Sequence, residues 1–293
     1  AVDRERRVVR VRRAETGETF EQRYDKLILA PGAAPLTPPI PGVDAPNVFS
    51  LRNLEDADRI KAYIERHGAR RAVVAGAGFI GLEMVEQLHG LGIPVSLVEL
   101  APQVLPPLDA EMARFIEEEL TAQGVEATLG HGIAGITVRD GRAAGVTLDN
   151  HTARTGDLVI LAIGVRPNVE LAKGAGLVIG PMGGIAVNEW MQTSDPDVYA
   201  VGDAVEYPRT YLGRPARIPL AGPANKAGRI AGEHAATGKG RPMAAVQGTA
   251  IVRVFGKTAG STGLSEKAAE REGVAVRSVY AAGGHHAGYY PGA

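Results

Sequence analysis

The sequence predicts a mixed α/β fold organised around a parallel β-sheet. Over residues 71–168, short apolar runs typical of buried strands alternate with longer segments of helical period, as in parallel sheets with helical crossovers. A glycine-rich turn, Gly76-Ala77-Gly78-Phe79-Ile80-Gly81, joins the first of these strands to the first helix. The chain has 293 residues, 45% apolar and 38 of them glycine, which is enough for two domains with many tight turns.

The elements before this unit are short. Residues 1–34 predict strands at 7–11, 19–21 and 26–30, the last ending at the turn Pro31-Gly32-Ala33. Five prolines between residues 35 and 47 indicate an extended crossover, and residues 54–67 have the spacing of a surface helix.

Within the alternating unit and after it, the apolar spacing sets the predicted order of elements. It predicts strands at 72–75, 95–99, 125–129 and 158–163, helices from residue 80 and over 109–123, and a hairpin at Asp140-Gly141. Beyond residue 185 we expect a strand at 198–201, a helix over 221–236, and an α+β piece with strands at 251–255 and 274–280 around a helix that starts near residue 265.

Composition excludes several kinds of site. The 32 Lys and Arg nearly balance the 33 Asp and Glu without a long block of like charge, so neither nucleic acid nor an anionic membrane surface is favoured as a partner. No apolar stretch is long enough for a transmembrane helix. Because there is no cysteine, these residues hold no thiol nucleophile and no thiolate metal site. His285 and His286 lack further ligands at suitable spacing, so no metal site is expected.

The glycine turn has the pattern of a dinucleotide site. Gly76 allows the tight turn, Gly78 lets the backbone approach a diphosphate, and Gly81 lets the helix pack on the strand. The diphosphate would lie at the helix N-terminus, where free N–H groups favour an anion. Glu99, at the end of the next strand, would accept hydrogen bonds from the adenosine ribose and repel a 2′-phosphate, which favours NADH over NADPH.

Glu83 follows the last glycine by two residues and has two interpretations. It is either a carboxylate stabilised by the helix N-terminus or a group that faces the nicotinamide end of the coenzyme. Its spacing does not distinguish them.

The chain resembles the pyridine nucleotide–disulfide oxidoreductase family, and most closely its branch of coenzyme A-disulfide reductases, NADH oxidases and NADH-dependent persulfide reductases. The resemblance rests on the glycine turn with Leu82-Glu83 and on further runs at residues 98–106, 164–168, 199–203, 221–225 and 286–293. It implies a Rossmann-like NAD(H) domain at 51–170, inserted into a partial FAD domain of similar fold at 1–50 and 171–240. A truncated α+β dimerisation domain would follow at 241–293.

The resemblance also implies roles for single residues. Asp203, with its neighbour Ala204, matches the aspartate that relatives use on the FAD ribityl chain, and Ala221 begins the helix that relatives point at the flavin pyrimidine ring. Gly32 lies at a flavin-contacting turn, although Pro31 stands where relatives usually carry a threonine, which removes a donor and a hydroxyl.

For the coenzyme, Phe79 and Ile80 at the turn and Gly164 would lie near the nicotinamide nucleotide. Tyr289 and Tyr290 resemble tyrosines that reach the active site of the partner subunit in a homodimer, and they are the only candidates for catalysis within the chain. In relatives a first FAD fingerprint and a redox-active cysteine lie near the N-terminus, and neither is present here. The chain opens at Ala1 inside a strand-like run and stops abruptly after Pro291-Gly292, so both ends are interpreted as cuts through a longer protein. We expect that protein to be cytoplasmic.

The resulting hypothesis is a flavoprotein that passes hydride from NADH through FAD to coenzyme A disulfide, a persulfide or O2. As a fragment, it is expected to be incomplete for catalysis. The first alternative is a reductase component for a ferredoxin-like electron carrier, with no thiol step. The second is a protein that binds NADH without catalysis.

Overall fold

The computed structural model describes residues 1–284 and residue 289. It contains two compact units, residues 1–263 and 264–293. The N-terminal part of the chain contributes short strands: β1 (Val2–Asp3), β2 (Val8–Arg12), β3 (Thr19–Arg23), β4 (Leu27–Leu29), β5 (Ala33–Pro35) and β6 (Val48–Ser50). Strands β1, β2 and β3 form an antiparallel sheet in that order.

The middle of the chain holds most of the helices. Its elements are α1 (Leu54–His67), β7 (Ala72–Ala75), α2 (Phe79–Gly90), β8 (Val95–Glu99), α3 (Ala110–Ala122), β9 (Glu126–Leu129), β10 (Ile133–Arg139), β11 (Arg142–Leu148), β12 (Ala153–Thr155), β13 (Leu158–Leu161), β14 (Val165–Pro167) and α4 (Glu170–Gly174). Asn53 caps α1 through a capping box with Asp56, and Gly68 ends it in the left-handed conformation.

The last part of the first unit returns to short strands and one long helix. It contains β15 (Ile185–Ala186), β16 (Val198–Ala200), a single 3-10 turn (Gly202–Ala204), β17 (Val205–Glu206), α5 (Ala221–Thr237), β18 (Ala250–Val254) and β19 (Lys257–Ser261). Helix α6 (Glu266–Glu272) lies in the second unit.

A five-stranded parallel sheet forms the centre of the first unit, in the order β6-β13-β7-β8-β9. Every residue of β7 and β13 is buried, because both faces of the sheet are covered. Alternate residues face opposite sides. Val74 packs with α2 and α3, whereas Val73 packs against the antiparallel sheet β10-β11-β12. The predicted α/β class with a parallel core is confirmed.

A second core joins the two ends of the first unit. Strand β4 pairs in parallel with β16, so Leu29 lies beside Ala200. Both residues pack in one apolar cluster with Ala227 and Ala231 of α5. The chain therefore leaves this layer after β4, builds the five-stranded sheet, and returns to the layer only at β16. A domain that is interrupted by the insertion of another domain requires this path of the chain. The domain bounds stated from the sequence stay a prediction.

The hairpin of β18 and β19 packs on the outside of α2 and α3. Val252 and Val254 belong to the same apolar core as Leu88 of α2. Glu86 accepts a hydrogen bond from the backbone N–H of Phe255 at 2.8 Å, and Glu119 accepts one from Gly256 at 3.1 Å. The hairpin thus closes the helical side of the sheet.

The strand predicted at residues 274–280 is wrong. The described residues contain no strand there, and the apolar side chains that suggested one are exposed, Val279 at 88%. A lone extended segment gains no ladder hydrogen bonds, so its side-chain pattern alone does not make a strand. Helix α6 ends at Gly273, which adopts the left-handed conformation.

No helix in the described part of the chain is long and apolar enough to cross a membrane.

Candidate functional site

The glycine turn joins β7 to α2 at the carboxyl edge of the parallel sheet. Gly76 has a φ of +102°, and a Cβ there would lie 2.3 Å from the carbonyl oxygen of Ala162. A Cβ on Gly81 would lie 1.8 Å from the carbonyl oxygen of Gly76. Both positions therefore exclude any side chain. At Gly78, by contrast, a Cβ would meet nothing within 4 Å, so open space adjoins the backbone at the one position where a ligand should approach.

Helix α2 begins beside this space with its N-terminus free. Gly78 is the N-cap, no side chain caps the helix, and its first turn carries no acidic residue. The first backbone N–H groups of a helix lack partners within the helix and favour an anion. Open space and an uncapped helix end together fit the diphosphate of a dinucleotide.

Glu99 lies next to the turn, at the end of β8. One carboxylate oxygen accepts the backbone N–H of Ala77 at 2.6 Å, and the other accepts that of Ala101 at 2.7 Å. The carbonyl of Ala77 in turn accepts the N–H of Leu105 at 2.9 Å. Glu99 therefore holds the middle of the glycine turn in place. Each carboxylate oxygen can accept two hydrogen bonds, so acceptor capacity for a ribose remains.

The other residues predicted to contact this coenzyme differ in their exposure to solvent. Phe79 is half-buried and lines a small cavity with Leu105, Leu108 and Ala259, so the β18–β19 hairpin supports it. Ile80 is half-buried in the first turn of α2. Glu83 is exposed and is the fifth residue of α2. One interpretation of the sequence was a carboxylate stabilised by the helix N-terminus, but α2 begins at Phe79 and its first turn contains no acidic residue.

Gly164 reaches the same edge of the sheet from β13. The N–H of Ala162 donates to the carbonyl of Ala75 at 2.7 Å, which places the segment after β13 beside the start of the glycine turn. Gly164 has a φ of +111° and is exposed. Its carbonyl accepts the N–H of Leu36 at 2.9 Å, which begins the short ribbon of β5 and β14.

The residues predicted for the flavin gather at a second edge, where β4 and β16 end. Asp203 lies in the 3-10 turn after β16, with its side chain 16% exposed, and Ala204 beside it is buried. Gly32 follows β4 with a φ of +69°. Ala221 begins α5, whose N-terminus has no side-chain cap, and α5 packs against the 3-10 turn.

Arg52 joins these residues, and sequence reasoning missed it. Its guanidinium donates to the carboxylate of Asp203 at 2.8 Å and lies 3.5 Å from the position that a Cβ of Gly32 would take. Its backbone N–H donates to Asp56, which fixes the residue at the start of α1. Nothing in the local sequence indicates this role, because Arg52 and Asp203 are 151 residues apart.

Two buried polar atoms have no hydrogen-bond partner within the described residues: the hydroxyl of Tyr207, which lies near Asp203, and Nε of Arg217. Burial, reinforced by the charge of Asp203, raises the pKa of Tyr207 to about 12. The other guanidinium nitrogens of Arg217 donate to the carbonyls of Val165, at 3.1 Å, and Met182, at 3.4 Å. An unpartnered buried hydroxyl costs roughly 1–3 kcal/mol. Its presence beside Asp203 fits a layer that a polar cofactor completes.

Pro31 stands where relatives usually carry a threonine, and the structure shows how the turn is held without that residue. It offers no backbone donor at the turn, and its carbonyl accepts the side-chain amide of Asn168 at 2.8 Å. The carbonyl of Gly32 accepts the backbone N–H of the same asparagine at 2.9 Å. The turn is therefore held from the β14 side.

The C-terminal candidates fall in the second unit. Tyr289 is exposed at 83%. Tyr290, His285 and His286 lie outside the described residues. Among the residues that the structure does describe, no group of three or more His, Cys, Asp or Glu side chains could hold a metal ion.

Comparison with known proteins gives a family and relatives. The family model described as pyridine nucleotide-disulphide oxidoreductase matches residues 1–240. An NADH oxidase of Methanocaldococcus jannaschii is 40% identical over 277 residues, which are 94% of this chain and 61% of the relative. A CoA-dependent NAD(P)H sulfur oxidoreductase of Pyrococcus abyssi is 38% identical over 97% of this chain and 63% of its own length.

Among solved structures, that of reduced Bacillus anthracis CoADR-RHD superposes with a TM-score of 0.95 at 43% identity. It covers 99% of this chain, which in turn covers 52% of it. The chain thus spans about three fifths of the length of the curated relatives it matches. The resemblance stated from the sequence is confirmed.

Proposed function

The chain belongs to the pyridine nucleotide-disulphide oxidoreductase family, and from that premise we propose that it is the coenzyme-binding part of an NADH-dependent flavoprotein. FAD is the second cofactor, and coenzyme A disulfide or a persulfide is the acceptor. The observation that carries the proposal is the meeting, at one sheet edge, of an open Gly78, an uncapped α2 and the Glu99 carboxylate. The relatives named above support the sulfur acceptor, since one is a CoA-dependent sulfur oxidoreductase.

When bound, FAD would supply the two-electron chemistry between NADH and the acceptor. The residues of this chain bind and orient the partners. The N-terminus of α2 would hold the diphosphate, and Glu99 would accept hydrogen bonds from the ribose hydroxyls while it holds the turn. Asp203, held by Arg52, would accept a hydrogen bond from a hydroxyl of the flavin side chain, and the free N-terminus of α5 would stabilise negative charge on a flavin ring bound there.

Any redox-active thiol of this reaction would come from outside these 293 residues, because none of them is cysteine. Tyr289 and Tyr290 remain candidates for contact with the acceptor across a homodimer. The homodimer, the domain bounds stated from the sequence and a cytoplasmic location, where NADH is supplied, are part of the same proposal.

The direct test uses the full-length protein and separates the two cofactor steps. We expect purified protein to carry FAD, to bind NADH saturably, and to lose its flavin absorbance when NADH is added without oxygen. Coenzyme A disulfide or a persulfide should then restore that absorbance. Colourless protein that takes up no flavin, or flavin that NADH does not reduce, contradicts the proposal.

An oxygen acceptor has one specific observation in its favour, the 40% identity to an NADH oxidase. The same experiment decides between the acceptors. If reduced protein is reoxidised rapidly by oxygen and slowly by every disulfide tested, the sulfur acceptor is excluded.

A further inference from the structure

Arg217 connects the two candidate cofactor edges. Its backbone lies four residues before Ala221, which begins α5 at the flavin edge. Its side chain reaches Val165, the residue directly after Gly164 at the coenzyme edge, and Nη2 donates to the Val165 carbonyl at 3.1 Å. The two residues are 52 positions apart, so this hydrogen bond joins segments that are distant in the sequence.

The same guanidinium also holds a segment that is fixed to the second core. Its Nη1 donates to the carbonyl of Met182 at 3.4 Å. The N–H of Met182 donates to the carboxylate of Glu206 at 2.7 Å, and the N–H of Gly184 donates to the same oxygen at 3.0 Å. Glu206 is 2% exposed and belongs to β17, which directly follows the 3-10 turn of the flavin edge. Arg217 therefore ties Val165 to the layer that carries the flavin edge.

The ribbon of β5 and β14 is held at both of its ends. At one end Asn168 donates to the carbonyl of Gly32 in the flavin turn. At the other end Gly164 is exposed, and its carbonyl accepts the N–H of Leu36 at 2.9 Å. Because two strands of three residues are marginally stable alone, the hydrogen bond from Arg217 to the next peptide restrains this end of the ribbon.

One donor of Arg217 is buried without a partner. Nε has no hydrogen bond within the described residues, and no carboxylate of that part of the chain forms an ion pair with the guanidinium. A buried donor on a charged group destabilises the folded state when it lacks a hydrogen bond. Residues that break such a rule without compensation are expected at functional sites.

We propose that Arg217 is a positioning residue that sets the spacing between the nicotinamide of NADH and the flavin ring. The proposal rests on the proposed function, because it concerns the hydride transfer of that reaction. That step oxidises NADH to NAD+ and reduces FAD to FADH−, with one hydrogen nucleus and both electrons moving as hydride. A displacement of about 1 Å between reacting groups can slow such a step about a hundredfold. The planar guanidinium suits this role because it binds two carbonyls at once in fixed geometry, whereas a lysine ammonium is a point charge on a flexible stem.

The first measurement uses full-length protein without added nucleotide. Hydrogen exchange followed by mass spectrometry reports on the N–H of Leu36, which donates to Gly164. In Arg217→Gln this N–H should exchange about tenfold faster than in native protein, because the ribbon loses its restraint. Arg209→Gln is the matched control, since it removes the same charge from an exposed side chain eight residues earlier and should exchange at the native rate.

The second measurement follows the flavin by stopped-flow absorbance without oxygen. Arg217→Gln should keep its FAD content and its NADH affinity. The long-wavelength charge-transfer absorbance of nicotinamide stacked on flavin should weaken, and the rate constant of flavin reduction should fall about tenfold to a hundredfold. Arg217→Lys keeps the charge but not the bridge, so it should restore neither quantity.

Thermal melts verify that the variants fold, and Arg217→Lys replaces Arg217→Gln in both measurements if the glutamine variant melts early. A native exchange rate at Leu36 overturns the proposal whether or not the protein binds flavin. Native charge-transfer absorbance and a native reduction rate in Arg217→Gln, or full recovery in Arg217→Lys, also overturn it. Native protein that carries no flavin, or flavin that NADH does not reduce, counts against the proposed function instead.

Discussion

The two candidate cofactor edges of this molecule are built in different ways. At the edge of the five-stranded sheet, the glycine turn and Glu99 belong to consecutive elements of one βαβ unit, and direct hydrogen bonds connect them. At the other edge, Gly32, Arg52, Asp203 and Ala221 come from opposite ends of the first unit and meet only because β4 pairs with β16. The first edge is formed by residues close together in the sequence. The second edge forms only when distant parts of the first unit pack together. Perturbations should therefore act locally at the first edge and through long-range contacts at the second.

The largest effect is expected at the glycine turn. In Gly81→Ala the new Cβ would overlap the carbonyl of Gly76, so the helix must move. We expect a loss of about 3 kcal/mol in unfolding free energy and at least a hundredfold weaker NADH binding. Thermal melts and fluorescence titration measure the two quantities.

Gly78→Ala is the matched control, because its Cβ meets no protein atom. It should fold with an unchanged Tm and still bind NADH more weakly, since the methyl group enters the space left for the diphosphate. If both variants lost the same stability and the same NADH affinity, Gly78 and Gly81 would not have the different roles assigned to them.

The next largest effect is on coenzyme choice at Glu99. The double variant Glu99→Ala/Leu100→Arg removes the carboxylate that repels a 2′-phosphate and adds a cation beside it. Leu100 is 70% exposed, so an arginine there meets no steric barrier. The ratio of NADPH to NADH affinity should rise by roughly a hundredfold, about 2.7 kcal/mol.

Glu99→Gln separates the two roles of this residue. It keeps an oxygen for the N–H of Ala77 but loses the charge and the acceptor for the N–H of Ala101, so the turn should be better ordered than in the alanine variant while discrimination against NADPH weakens. An unchanged preference in both variants would remove Glu99 from coenzyme selection.

A smaller effect is expected from the long-range pair at the second edge. Arg52→Gln leaves the Asp203 carboxylate without its cation, and FAD affinity should fall about tenfold. Flavin fluorescence on titration into apoprotein measures this. Arg59→Gln is the control, because Arg59 pairs with Asp56 on its own helix rather than with Asp203. Equal FAD affinity in both variants would confine Arg52 to a structural role.

The smallest effect is expected from Tyr207→Phe in protein without flavin. It removes a buried hydroxyl that lacks a partner within the described residues, so stability at neutral pH should rise by up to about 1 kcal/mol. Because burial raises the pKa of Tyr207 to about 12 in the folded state, this group does not change stability with pH below its ordinary value of 10, and stability is lost as the pH rises from 10 through 12.

The variant should therefore lose less stability than the native protein between pH 10 and 12. Urea unfolding at several pH values tests this, and parallel curves for the two proteins would contradict it.

The same contrast explains what the sequence could predict. Gly76, Gly81 and Glu99 are recognisable because their roles depend on neighbours within one βαβ unit, where strand and helix periods fix the geometry. Asp203 and Ala221 were identified through resemblance, since an aspartate after a glycine is otherwise an ordinary turn residue. Neither the residue spacing nor the family resemblance indicated Arg52, because a single arginine before a helix forms no recognisable motif. The wrong prediction of a strand at 274–280 also concerns a contact between distant residues. An alternating side-chain pattern does not show whether a neighbouring strand is present to pair with.

The β18–β19 hairpin has a practical consequence for anyone who wishes to isolate the coenzyme-binding portion. The family match ends at residue 240, and that boundary suggests a convenient truncation. Cutting there would strip Val252 and Val254 from the outer face of α2 and α3, and would leave Glu86, now only 17% exposed, without its backbone donor. Such a fragment would expose an apolar surface to solvent and aggregate. A fragment that extends through residue 261 keeps the hairpin that buries this surface.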